Sequence, residues 1–491
     1  MERVVRVKVL AIVMYIAFFS VFIGGCGSKN EKETDSKTTG HSTSSTPINP
    51  MNYVSREGLG NRLLQQEKLL EESPDNDEYK LAYAQTLYAL GNFAYAKKVV
   101  TPLVKVKKPM LSALELSARL HYIHGEYAEA EGIYQKLLTN KEKGLAARAR
   151  EGLLNVYYQT NQYQKVKQLK SKKKVSAMQK LLESFGEEQP YQINWNGLEK
   201  ATIPFTATDP APVIPIEVNG VKMNAVIDTS ADGLMLDKEK AAEMGIQPIS
   251  SFQGRYEGGS SGEAAYSKVQ SLKLGELELN NIPTTISSLA NMRNEIFNEV
   301  ADVHAVIGTG ILKQFTPTIN YETGELTLIP RGEAGQKLLK EMLPNDKIID
   351  QVPVTLSGTH YLHAKGSVNR NNYFNMLINS GLVTKGGNGP ILSGELMKLL
   401  KMPVPQLTQS QFAGIDGENF QVGSISVASY GIGRLVSEAS IGQYYSGEAL
   451  ESLGQANGFV SDAMVGHNFL KNQTWTLDFD TMSIIFSKTN E

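Results

Sequence analysis

The chain has 491 residues, too many for one hydrophobic core, so two or three domains are expected. A hydrophobic content of 41% and a charged content of 20% describe ordinary globular material and exclude a disordered or membrane-spanning chain. With 49 Lys+Arg against 51 Asp+Glu, no excess of positive charge remains to build a phosphate-binding face, which excludes nucleic acid as a partner. The first predicted element is an export signal. Arg3, Arg6 and Lys8 lead into an apolar run over residues 9–23 that is too short and too isolated to be a comfortable spanning helix.

That run ends in Ile23-Gly24-Gly25-Cys26, which resembles the bacterial lipoprotein cleavage box, where small residues precede a lipidated Cys that becomes the new N-terminus. The resemblance implies a signal peptide over 1–25, a lipid on Cys26, a membrane partner held through that lipid, and a place in the cell envelope facing the extracytoplasmic side. An uncleaved anchor with an incidental Cys is the alternative. Cys26 is the single cysteine, so no internal disulfide can form. Residues 26–52, rich in Ser, Thr, Lys, Asn and Gly, cannot build a core and read as a flexible tether.

Over 53–185 apolar residues recur at threes and fours, which predicts helices. The pattern repeats. Gly91-Asn92-Phe93 with Ala96 returns 34 residues later as Gly125-Glu126-Tyr127 with Ala130, and less perfectly as Asn161-Gln162-Tyr163 with Val166. Ala84 and Ala118 stand seven residues before the two glycines. This resembles the tetratricopeptide repeat, in which small residues let paired helices approach, Gly opens the inter-helix turn and the following aromatic fills a hole. A plain helical bundle is the alternative and predicts no fixed period. Repeat arrays of this kind usually present a concave face to a peptide or a protein partner.

Beyond the basic cluster Lys172-Lys173-Lys174, the stretch Glu187-Glu188-Gln189-Pro190 marks a linker over 186–212, and the chain that follows is β-rich. Residues 214–223 read as two short strands about an Asn219-Gly220 turn. A larger duplication follows. Residues 225–230, ending in Asp228-Thr229-Ser230, match 376–381, ending in Asn379-Ser380-Gly381, at an offset of 151. Ile307-Gly308 matches Val465-Gly466, and 311–321 matches 469–479, at an offset of 158. Each copy is an apolar strand that delivers a polar triplet, so one β unit is used twice. The first copy occupies 213–332 and the second 351–491, with an inter-lobe segment over 333–350 and a helix near 334–343.

Asp228-Thr229-Ser230-Ala231 resembles the Asp-Thr-Gly-Ala signature of retropepsin-like and pepsin-like aspartic proteases, and Gly308 and Gly466 fit the strand that passes the family's active-site loop. The resemblance covers 213–488. It implies two all-β lobes meeting at a pseudo-twofold axis behind an α-helical repeat array, and hydrolysis of peptide bonds at Asp228 with no cofactor. The family's chemistry holds two carboxylates so close that they share one proton, one acting as base on a water and the other donating to the scissile carbonyl. Both copies depart from the pattern. Ser230 replaces the Gly, and Asn379 stands where the second Asp belongs, while Ser380 keeps the hydroxyl and Gly381 the Gly. An amide neither takes nor gives the shared proton, so Asp228 is expected to lose its main reason for a raised pKa and to sit ionised beside an amide donor. Two readings follow: an aspartic-type endopeptidase, or a catalytically inactive pseudoprotease that binds peptide or scaffolds an envelope complex.

The stretches 254–262 and 412–417 are either hairpins folded over a substrate or ordinary surface loops. His304, His360, His363 and His467 show no recurrent short spacing, so no metal site is expected. Asp232 and Asp237 read as turn and helix-cap residues, and Asp478 and Asp480 as residues of a turn between C-terminal strands.

Overall fold

The structure, a computed structural model, describes residues 55–488 apart from 143, 170–174, 256–260, 384–386, 414–418 and 446–448. The expected signal peptide, Cys26, the tether, Lys172-Lys173-Lys174 and the centres of the loops at 254–262 and 412–417 lie outside the described residues. Among the described residues no helix is long and apolar enough to cross a membrane.

Helices α1 (Arg56–Glu72), α2 (Asp77–Ala89), α3 (Phe93–Val104), α4 (Leu111–Ile123), α5 (Tyr127–Leu138) and α6 (Leu145–Gln159) each pack on the next, and a 3-10 turn (Tyr163–Gln168) and α7 (Ala177–Glu183) close the series. The sequence period has a local cause. Gly91, Gly125 and Asn161 all adopt left-handed backbone, with φ of 74°, 76° and 57°. At each, two amides close the preceding helix: Gly91 and Asn92 donate to the Tyr88 and Leu87 carbonyls, Gly125 and Glu126 to Tyr122 and His121, Asn161 and Gln162 to Tyr158 and Tyr157. This Schellman closure favours Gly and tolerates Asn, which is why the third copy departs where it does. Ala84, Ala96, Ala118 and Ala130 are fully buried in the helical core.

The β region runs through two series of similar order. The first is β1 (Gln192–Asn194), β2 (Ala201–Pro204), β3 (Val213–Val218), β4 (Val221–Asp228), β5 (Leu234–Asp237), α8 (Lys238–Glu243), β6 (Ser250–Arg255), β7 (Ser261–Leu274), β8 (Leu277–Ser287), β9 (Val303–Gly308), α9 (Thr309–Leu312), β10 (Thr316–Asn320) and β11 (Glu325–Ile329). After α10 (Gly332–Met342), close to where a helix was expected, come β12 (Ile348–Ser357), β13 (Tyr361–Val368), β14 (Asn371–Ile378), β15 (Ile391–Leu392), α11 (Gly394–Leu399), β16 (Thr408–Ala413), β17 (Asn419–Ile432) and β18 (Leu435–Tyr445). The series ends with α12 (Ala449–Asn457), β19 (Ala463–Val465), α13 (His467–Leu470), β20 (Thr474–Asp478) and β21 (Ser483–Ser487). The hairpin at Asn219-Gly220 is present, both residues having positive φ as a tight β-turn requires. The expected linker 186–212 is different: it contains β1, paired with β8, and β2, paired with β11, so this stretch is built into the sheets. In β2, Ala201 and Ile203 are buried while Thr202 and Pro204 are exposed, an alternation too short to register in the sequence.

One sheet of eight strands has the order β1-β8-β5-β9-β4-β3-β7-β6, and one of thirteen has the order β16-β17-β18-β15-β19-β14-β13-β12-β21-β20-β10-β11-β2. At the middle of its last six strands β10 and β20 pair antiparallel, with Thr318 opposite Thr476 and their hydroxyl oxygens 2.7 Å apart. These two threonines are partners at the 158-residue offset, so the local twofold passes between them. A single hydrophobic core extends from Tyr191 to Phe486 through both series. The helical core is separate but takes in Tyr266 and Phe459 of the β region, and the Phe459 ring stands edge-on to Phe93 with centroids 4.9 Å apart.

Candidate active site

Strands β4 and β14 carry the two polar triplets. β4 pairs in parallel with β9, placing Ile227 beside Ile307 and Asp228 beside Gly308, and β14 pairs in parallel with β19, placing Ile378 beside Val465. Their last residues are buried without alternation, as strands covered on both faces are, and the polar triplets emerge where the pairing stops.

The triplets meet in a reciprocal set of buried hydrogen bonds. Thr229 Oγ1 donates to the Ile378 carbonyl at 2.9 Å, and Ser380 Oγ donates to the Ile227 carbonyl at 2.9 Å. The Thr229 amide donates to Ser380 Oγ at 3.0 Å, and the Ser380 amide to Thr229 Oγ1 at 3.0 Å. The symmetry extends to the flanking side chains. Asp228 Oδ1 accepts from the Ser230 amide at 2.8 Å, and Asn379 Oδ1 accepts from the Gly381 amide at 3.0 Å. Asn379 therefore occupies the position related to Asp228. Gly381 is required there, because a Cβ would stand 2.5 Å from Asp228 Cγ. Ser230 adds a hydroxyl that the resembled signature lacks, and it donates to Asp228 Oδ1 at 2.7 Å.

Asp228 is 2% exposed and Asn379 0%. Burial pushes the Asp228 carboxyl up to about 6, against the opposing pull of the Ser230 hydroxyl and of the Ser230, Gly381 and Ala231 amides. This corrects the expectation that Asp228 has no reason for a raised pKa without a second carboxylate, since desolvation raises the group by itself. Nor does the Asn379 amide nitrogen simply serve Asp228: it donates to Met464 Sδ at 3.4 Å.

Gly308 and Gly466 are each tight against the loop of their own copy. A Cβ on Gly308 would meet the Ala231 carbonyl oxygen at 2.4 Å, and one on Gly466 would meet Leu382 Cβ at 2.7 Å. The Thr309 amide donates to the Ala231 carbonyl at 2.9 Å and the His467 amide to the Leu382 carbonyl at 3.1 Å, the same bond in each copy. Two residues of this clasp are missing from the sequence reading. Thr309 Oγ1 donates to the Thr229 carbonyl at 2.7 Å, and Gly310 donates its amide to the Asp232 carbonyl. Their adjacency to Gly308 is a signal, but the second copy has His467-Asn468 there, so the duplication hides it.

Asp232 is no plain turn residue: it is 3% exposed, and its Oδ1 accepts from the Tyr158 hydroxyl of α6 at 2.7 Å. Asp237 stands before α8 without capping it through its side chain. Its carboxylate accepts the Leu289 amide at 2.8 Å and pairs with Arg293; against burial, these partners hold it below the usual carboxylate range. Asp478 does act in its turn, accepting from the Asp480 amide at 2.9 Å and the Thr481 hydroxyl at 2.8 Å.

Residues 214–308, from β3 to β9, match the family model described as aspartyl protease. No curated protein matches the chain. Among solved structures it is similar to a retropepsin-like aspartic protease from Rickettsia conorii, with 19% identity over 28% of this chain and 92% of that one, at a TM-score of 0.20. A TM-score that low carries no weight for the fold or the chemistry.

Proposed function

We propose that the chain is an exported, lipid-anchored protein of the aspartic-protease family, with a tetratricopeptide-like array in front of two protease-like lobes, and that its cleft binds an extended polypeptide without turning it over. The observation that carries this reading is the Asn379 side chain at the place related to Asp228 across the reciprocal Thr229 and Ser380 bonds. The framework of a two-carboxylate site is supported on both sides, while an amide stands at one of its two carboxyl positions. Proton sharing between the two positions is then absent, and with it the general acid and base pair that the chemistry needs.

A second reading is favoured by one property. The Asp228 carboxyl, raised to about 6, changes protonation in mild acid and is suited to act as a lone general base on water. Digestion of an unstructured protein mixture from about pH 3 to about pH 8 by wild type, Asp228→Ala and Asn379→Asp separates the two. Cleavage by Asn379→Asp alone is the expected result. Cleavage by wild type that Asp228→Ala abolishes would make the protein a hydrolase and overturn the first reading.

A further inference from the structure

Tyr88, Tyr122 and Tyr158 each stand three residues before a left-handed turn residue, at the same place in successive helix pairs. All three are buried, and all three hydroxyls donate to the β region. Tyr88 reaches the Asn457 carbonyl at 3.3 Å, Tyr122 the Gly358 carbonyl at 2.5 Å, and Tyr158 the Asp232 carboxylate at 2.7 Å. The first two acceptors are backbone groups of the second series. The third belongs to the Asp228 loop, four residues after Asp228.

The last turn of α6 grips that loop's surroundings as well. Gln159 Oε1 accepts from Lys313 Nζ at 2.6 Å, and Gln159 Nε2 donates to the Thr359 carbonyl at 2.9 Å. The Lys313 ammonium lies 4.6 Å from the Tyr158 ring centroid. Lys313 directly follows α9, whose first two residues, Thr309 and Gly310, clasp the loop. One helix end thus contacts the loop, its clasp and the second series. The groups facing the Asp232 carboxyl are Tyr122, Tyr158 and Tyr163 of the helical array, Tyr191, Tyr266 and Lys313 of the first series, and His360 and Tyr361 of the second.

We propose that Tyr158 is a positioning residue: its hydrogen bond to Asp232 makes the helical array a fixed support of the loop that carries Asp228, so that loosening the array loosens the loop. The inference rests on the preceding reading only in treating Asp228 as the chemically important position. The loop supplies the Ser230 and Ala231 amides that stabilise the Asp228 carboxylate, so a displaced loop alters the titration of Asp228 without any change in Asp228 itself.

The test compares Tyr158→Phe with Tyr88→Phe in the full chain, reading hydrogen exchange of the peptide spanning 226–236 and the NMR titration of the Asp228 side-chain carboxyl. A hydrogen bond to a charged group, once removed, is expected to speed exchange of that peptide about tenfold or more. Tyr158→Phe should do so and move the Asp228 midpoint above its wild-type value, while Tyr88→Phe leaves both unchanged. Cutting the same bond from the other side, Asp232→Ala, should give the same acceleration, and the double variant should exceed neither single change. Equal loop exchange in Tyr158→Phe and Tyr88→Phe, or an unmoved Asp228 midpoint, overturns the proposal. Neither readout depends on peptide binding or turnover, so failure of the preceding reading would leave this result standing.

Discussion

Replacing Asp228 by Asn isolates the cost of ionising a carboxyl in this site. Burial holds the group at about 6 against an ordinary 3.8. Between those values the folded chain binds the proton that the unfolded chain has released, so stability falls as pH rises through the window. A separation of about two pH units, at about 1.4 kcal/mol each, makes the full loss about 3 kcal/mol, absent below about pH 4 and complete above about pH 6. Asn cannot ionise and escapes that fall. Its Oδ1 still accepts from the Ser230 amide and hydroxyl, while its NH2 group sits poorly against the Gly381 amide that serves Asp228. That misfit is independent of pH and cancels when the wild-type and variant difference is followed against pH. Urea unfolding at about pH 4 and about pH 7.5 should show Asp228→Asn gaining about 3 kcal/mol on wild type between the two conditions. A difference that stays constant would refute desolvation as the cause of the raised carboxyl.

Ser380→Ala removes the acceptor of the Thr229 amide and the donor to the Ile227 carbonyl, both buried, and should cost about 2–4 kcal/mol by denaturant unfolding. Thr229→Val cuts the partner bonds of the same set, so the double variant should cost clearly less than the sum of the two. Gly308→Ala places a methyl 2.4 Å from the Ala231 carbonyl oxygen and should destabilise by about 1–3 kcal/mol, with faster hydrogen exchange in the Asp228 loop. Burial lowers the Lys313 amine to about 7 from an ordinary 10.5. The unfolded chain then binds more protons between those values, and stability should rise as pH climbs from about 7 to about 10; in Lys313→Met the rise should be smaller.

Much of this architecture was legible because its causes are local. A helix closure that needs a left-handed residue leaves Gly91, Gly125 and Asn161 at nearly equal spacing, each followed by an aromatic two positions further on. A strand covered on both faces leaves a continuous apolar run, and the polar triplet at its end stands out. The duplication then related Asp228 to Asn379, and the reciprocal Thr229 and Ser380 bonds place the two at matching positions. Strands β1 and β2 were not legible, because three or four residues carry too little pattern and their partners lie more than 80 and more than 120 residues further along the chain.

The sequence by itself determined which groups stand at the centre: one carboxyl, one amide, and the hydroxyls that tie their loops together. Only the tertiary structure decided how those groups behave. The Asp228 carboxyl is raised because other parts of the chain exclude water from it, and Asp232 serves Tyr158 because α6 ends against its loop. Desolvation and docking depend on what packs over a residue, and its sequence neighbours do not contain that information.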